Sequence, residues 1–219
     1  MQGGAQMAKE PVSTMPALLE RDGELAAVDD LIGATGEGGR LAVIEGPPGI
    51  GKTSLIVETK ARALRAGMQV LTGRGSDLER AFSYGVVRQL FEPFLAQLPE
   101  DERAELLAGA AALATPIFDP AHLAGEPPTD ASFARLHGLF WLTANVAARR
   151  PLLLAVDDLH WCDTPSLRWI GYLLPRIEGL PVLLVVGLRS SEPGEDALIG
   201  RVVSDPVAVA LRPAPLGRD

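Results

Sequence analysis

Apolar residues along this chain are grouped in two ways. Leu41-Ala42-Val43-Ile44, Leu152-Leu153-Leu154-Ala155-Val156 and residues 182–187 are short, unbroken apolar runs. A strand that is apolar on both faces belongs in a parallel sheet covered by helices on each side. Between these runs the apolar positions recur every three or four residues. Leu25, Val28, Leu31 and Ile32 do so within 24–35, as do Val87, Leu90, Phe91, Phe94 and Leu98 ahead of Pro99. Phe133, Leu136, Phe140, Ala144 and Ala147 repeat the pattern within 131–150. Each set lines one face of a helix.

The pattern predicts strands at 40–45, 68–73, 152–156, 182–187 and 207–211. It predicts helices at 24–35 and 52–65, from Ser83 to Leu98, and at 101–113, 131–150, 164–174 and 192–203. Ser83 and Asp130 are expected as helix caps, and Thr164 caps the helix that Pro165 opens. Residues 115–130 carry four prolines and read as a loop. Residues 1–15 lack periodicity and read as a disordered lead, with 16–219 as one domain. Strand and helix alternation implies a doubly wound, mainly parallel five-stranded α/β sheet, with a helical insertion between the second and third strands.

Composition narrows the setting. With 47% hydrophobic and 22% charged residues, the 219-residue chain reads as soluble and has enough length to bury a core. A net charge of -8, with no basic cluster to offset it, argues against DNA contact. Cys162 is the sole cysteine, so neither an internal disulfide nor a cysteine-based zinc site can form, which suits the cytoplasm. The N-terminus lacks the basic and apolar regions of a signal peptide, and no apolar run is long enough to cross a bilayer.

The chemistry centres on Gly46-Pro47-Pro48-Gly49-Ile50-Gly51-Lys52-Thr53, followed by Ser54. It fits G-x-x-x-x-G-K-[ST] between a strand and a helix, the context a P-loop requires. Glycines let successive N–H groups converge on a polyphosphate at the positive end of the helix. Lys52 is expected on the outer phosphates and Thr53 on a bridging Mg²⁺. Asp157 and Asp158 end the third strand, where Asp157 is a candidate magnesium ligand and Asp158 a candidate base for the attacking water. Arg189 follows the fourth strand and either reads the terminal phosphate or pairs on the surface with Glu192. Arg21 lies ahead of the loop without a role fixed by spacing. His160 and Trp161 read as a packed loop with a satisfied histidine rather than a metal site, and Ser166 lacks an obvious base.

Taken together, Leu19-Glu20-Arg21-Asp22 with Glu24, the loop 46–53, the segment 73–91, residues 152–163 and residues 185–189 resemble the ATPase module of large ATP-binding LuxR-type transcriptional regulators. These belong to the STAND branch of the AAA-like P-loop ATPases. The resemblance implies a slow ATP/ADP switch that controls self-association. It also implies that the Arg189 strand lies between the loop strand and the acid strand. By the same resemblance, Arg21 lies near the nucleotide base and Arg189 at a sensor position. Such regulators continue into winged-helix, helical-repeat and helix-turn-helix regions. A chain ending at Asp219 without them is expected to bind weakly and hydrolyse poorly. The alternatives are a nucleotide-binding scaffold without turnover and a small-molecule phosphotransferase.

Overall fold

The computed structural model of the protein describes residues 21–119, 129–190 and 197–214. The expected disordered lead, 1–15, lies outside them. The strands are β1 (Arg40–Glu45), β2 (Gln69–Arg74), β3 (Leu152–Asp157), β4 (Val182–Leu188) and β5 (Ala208–Leu211). They form one sheet in the order β2-β3-β4-β1-β5, and each pairing is parallel. The Arg189-bearing strand, β4, therefore lies between the loop strand β1 and the acid strand β3, as the resemblance implied.

The helices are α1 (Asp22–Ala34), α2 (Lys52–Arg65), α3 (Gly85–Gln97), α4 (Glu100–Leu106), α5 (Thr115–Phe118), α6 (Thr129–Arg149), α7 (Thr164–Leu173) and α8 (Ala197–Val203). Strand parity sends alternate side chains to opposite layers. Leu41, Val43, Leu154, Val156, Leu184 and Val186 pack with α3, α6, α7 and α8. Ala42, Ile44, Leu153, Ala155, Leu183 and Val185 pack with α1 and α2. β3 and β4 are buried along their whole length because both faces are covered. On the α3 side, Trp169 is fully buried and meets Phe91 edge-on at 5.8 Å.

The sequence pattern and the structure differ at several helix ends. Ser83 does not cap α3. The residue before the helix is Tyr84, in the left-handed region at φ 60, and the first N–H groups are met by Asp163 and Ser166 at the start of α7. Asp163, rather than Thr164, caps α7, accepting from Ser166 N at 2.9 Å. The alanine-rich stretch 101–113 does not form one helix. It breaks after α4 and continues as a 3₁₀ segment, Gly109–Ala114, with Gly109 at φ 60. Part of the expected loop is helical, as α5, and most of its remainder lies outside the described residues, as does the Glu192 end of the expected last helix.

Candidate functional site

β1 ends at Glu45 and α2 starts at Lys52, so residues 46–51 make a tight passage across the carboxyl edge of the sheet. Gly51, just ahead of α2, has φ 98, a conformation that L side chains rarely adopt. Gly46 stitches this passage to β4, its N–H donating to Leu188 O and its carbonyl accepting from Ser190 N, both at 3.4 Å. Pro47, Pro48 and Gly49 are exposed, as are Thr53 and Ser54 in the first turn of α2. The α2 N–H groups thus open toward solvent at the edge where α/β proteins bind ligands.

Lys52 is buried, and its ammonium donates to Gly46 O at 2.8 Å and Pro47 O at 2.9 Å. Burial pulls its pKa below the usual lysine value, opposed by Asp158 and Asp157 and reinforced by Arg189. The ammonium is thus held by the loop's own carbonyls, which satisfy it while keeping it beside the α2 N-terminus.

Thr53 Oγ1 donates to Asp157 Oδ2 at 2.7 Å, joining the start of α2 to the end of β3. The other oxygen, Asp157 Oδ1, accepts from Asp158 N at 2.9 Å. Gly187 on β4 makes room for this carboxylate. A Cβ there would sit 2.7 Å from Asp157 Oδ1 and 2.8 Å from Ile56 Cδ1. A hydroxyl and one carboxylate in contact form the oxygen set that fits Mg²⁺, which takes its remaining ligands from phosphate and water. Among the described residues no group of three or more His, Cys, Asp or Glu is placed to hold a metal by itself.

Asp158 has φ 50, one of two described non-glycine residues in the left-handed region. Strain of this kind collects at functional sites. Its Oδ2 accepts from Arg74 Nε at 2.9 Å and Nη2 at 2.7 Å. Arg74 ends β2, in register with Asp157 of β3. Arg74, Asp158, Trp161 and Arg189 line a cavity of about 400 Å³ that also meets Ser76, Glu79 and Gln89. The expected surface partner of Arg189, Glu192, lies outside the described residues.

Arg21 is buried against the loop. It donates to Ile50 O at 2.8 Å and to Ala214 O, and pairs with Glu24 at 3.4 Å. Its donors fasten the phosphate passage to α1 and to the chain beyond β5. The resemblance puts Arg21 near the nucleotide base, and in the structure its guanidinium braces the loop through Ile50 O.

His160 corrects an expectation. It lies in the 3₁₀ turn Leu159–Trp161 after the acid pair. Both ring nitrogens are buried and make no hydrogen bond among the described residues, so the histidine is not satisfied. Its ring tilts against Trp161, with centroids 5.1 Å apart. Burial lowers its pKa below the usual imidazole value, with Asp158 and Asp157 opposing and Arg189 and Lys52 adding. A neutral ring in this position leaves a donor unpaired, at a cost of about 1–3 kcal/mol.

Two contacts had no clear signal in the sequence. One is Arg74 on Asp158, which only the pairing of β2 with β3 brings together. The other is Asp163, which accepts from Tyr84 N at 2.8 Å and Val86 N at 3.1 Å as well as from Ser166 N. Beside it, Ser166 Oγ accepts from Val87 N at 3.2 Å, a structural use for this buried hydroxyl. The start of α3 is thus capped by α7, and a sequence rule that looks for local caps cannot find it.

A parallel sheet whose first strand feeds a glycine-rich turn into a helix, beside an acid-tipped strand, defines a P-loop nucleoside-triphosphatase fold. The chain belongs to the AAA ATPase domain family, which matches residues 17–186. It is 28% identical over 222 residues to an uncharacterized protein of Rhizobium meliloti (strain 1021), covering 90% of this chain and 20% of that protein. The chain thus spans about a fifth of that curated relative's length. Among solved structures it is similar to the Aeropyrum pernix ORC2 protein, solved as ADPNP-ADP complexes. There the TM-score is 0.53 and the identity 16%, over 90% of this chain and 48% of that one. It is also similar to the Aeropyrum pernix ORC1 protein in complex with DNA. That match has a TM-score of 0.51 and 17% identity, over 95% of this chain and 48% of that one. At these identities the two structures establish the fold. Among the described residues, no helix is long and apolar enough to cross a membrane.

Proposed function

We propose that this chain is a cytoplasmic ATP-binding switch module with slow, Mg-dependent ATP hydrolysis. In this reading it resembles the nucleotide-binding domain of LuxR-type transcriptional regulators and self-associates according to nucleotide state. The observation that carries the reading is the 2.7 Å contact between Thr53 and Asp157, which joins the phosphate passage to the acid strand. Bound MgATP supplies a labile terminal phosphate and the divalent charge that neutralises it.

The chain's own groups have separate tasks. The first-turn N–H groups of α2 cradle the inner phosphates, and Lys52 exchanges its two carbonyl bonds for phosphate oxygens. Thr53 and Asp157 would hold the metal, Asp158 would take the proton of the attacking water, and Arg189 would sense the terminal phosphate. Slow turnover is supported by two restraints. Lys52 is held by its own loop, and Asp158 is held by Arg74.

Binding and phosphate release measured on one sample test this reading. MgATP binding with slow release of phosphate supports a switch, binding with no release leaves a scaffold, and ATP consumed to ADP only on adding an acceptor, with the phosphoryl group carried by the acceptor, marks a phosphotransferase.

A further inference from the structure

Two series of residues at four-residue spacing meet where α6 packs on α7. On α6 they are Phe133, His137 and Trp141, with Phe133 59% and Trp141 42% exposed. Along α7 and the 3₁₀ turn after it, Leu174–Gly179, they are Arg168, Tyr172 and Arg176. The rings are fixed by contacts within the chain. An indole N–H can only donate, and that of Trp141 does so to His137 Nε2 at 3.1 Å, which leaves His137 Nδ1–H to donate to Tyr172 Oη at 3.2 Å. Phe133 stacks on His137 and meets Tyr172 edge-on at 5.7 Å. Trp, Tyr and Arg are the residues of binding hot spots, and rings already held in place lose little entropy on association.

Charge says what this face takes. Arginines over much of the surface are matched by carboxylates: Arg62 and Arg65 pair with Glu58, Arg88 with Glu92, and Arg149 with Glu102 and Glu105. Arg168 and Arg176 are exposed, and neither pairs with a carboxylate among the described residues. Between 132 and 148, α6 holds Arg135 and no acid, and α7 holds Arg168 and no acid. The turn adds Arg176 and Glu178. In a chain of net charge -8 this is a local excess of positive charge around exposed aromatic rings. A nucleic acid would also bring negative charge, but it needs open ring faces for its bases. Here Phe133 and His137 cover one another at 6° between ring planes, and the Arg176 guanidinium lies over Tyr172, 3.9 Å from the ring centroid.

We infer that the α6–α7 face docks an amphipathic helix of a partner protein, its apolar stripe on Phe133 and Trp141 and its Asp or Glu side chains on Arg168 and Arg176. A helix laid along α6 matches the four-residue spacing with its own i, i+4 positions. The acids that these arginines lack in their own chain come from the partner.

Fluorescence anisotropy with a labelled helical peptide of about 18 residues, leucine along one stripe and glutamate on both flanks, tests it beside the same peptide with lysine for glutamate. The parent is expected to bind the glutamate peptide at least about tenfold more tightly than the lysine peptide. Trp141→Ala is expected to weaken the glutamate peptide about tenfold, or about 1.4 kcal/mol, and Arg168→Glu combined with Arg176→Glu to reverse the preference. MgATP affinity is expected to stay at the parent value, because none of these side chains lines the cavity beside Asp158. If Trp141→Ala does not fold, the indole resonance of Trp141 in the parent decides, and is expected to move with the glutamate peptide and not with the lysine peptide. No measurable binding of the glutamate peptide, equal affinity for the two peptides, binding indifferent to Trp141 and both arginines, or an unmoved indole overturns the inference. Oligothymidine bound in place of the peptide, or self-association of the parent abolished by Trp141→Ala, also overturns it, by assigning the face to nucleic acid or to a second copy.

Discussion

Replacing Asp163 by alanine is expected to be among the most damaging single changes outside the phosphate passage. The carboxylate is almost fully buried and accepts three backbone N–H groups, from Tyr84, Val86 and Ser166, at 2.8 to 3.1 Å. Loss of an ordinary cap costs roughly 1 kcal/mol. Here two helices lose their cap together, and each N–H left buried without an acceptor costs about 1–3 kcal/mol. Water entering the space left by the side chain recovers part of that, so the expected loss is about 3–5 kcal/mol. For a domain of this size it corresponds to a melting temperature lower by roughly 6–20 °C. Asp163→Asn keeps one oxygen acceptor but turns an amide toward the second set of N–H groups, and is expected to lose about half as much. Urea denaturation followed by circular dichroism measures both. An Asp163→Ala chain within about 1 kcal/mol of the parent would refute the cross-capping account.

Other expectations follow from the same geometry. Arg74→Ala is expected to leave the melting temperature nearly unchanged, because the Arg74 side chain is 67% exposed and exposed ion pairs contribute at most about 1 kcal/mol. By freeing Asp158 it should raise MgATP turnover at least about twofold, whereas Asp158→Ala should lower it about 100-fold; phosphate release measures both, and a slower Arg74→Ala chain would contradict the restraint. Gly187→Ala places a methyl against Asp157 and Ile56 and is expected to cost about 1–3 kcal/mol in a thermal melt while weakening magnesium-dependent binding. Because burial holds the folded His160 below the ordinary imidazole pKa, its contribution to stability is complete above about pH 6.5 and is lost as the pH falls below it. Melting curves at pH 7.5 and 5.5 should therefore show a smaller acid loss for His160→Phe than for the parent.

The parts of the fold legible in the sequence are those where one local signal agrees with burial. β1, β3 and β4 read as strands because a central parallel strand must be apolar on both faces, and all three are buried there. The phosphate passage was legible because its glycines, its lysine and its hydroxyl are consecutive. Features set by distant pairing were not. Ser83 looks like a cap, but the start of α3 is held by Asp163, which nothing in the local sequence reveals. Alanines at 108–114 favour a helix by propensity, yet Gly109 turns the backbone left-handed and the chain docks as a 3₁₀ segment, against which α6 brings Gly138 close. Arg74 was visible as a residue, and its contact with Asp158 followed only from the strand order. For His160 the local sequence suggests a packed, satisfied ring, and only the fold shows both ring nitrogens buried without a hydrogen bond among the described residues.

The central claim is that residues 46–53 and Asp157 form one MgATP site. Titration of ATP into the parent and into Lys52→Ala, with and without magnesium, tests it most directly. Saturable binding by the parent that requires magnesium and weakens at least about tenfold on loss of the Lys52 ammonium is the predicted result. Equal affinity of the two chains for ATP, or binding indifferent to magnesium, would contradict it.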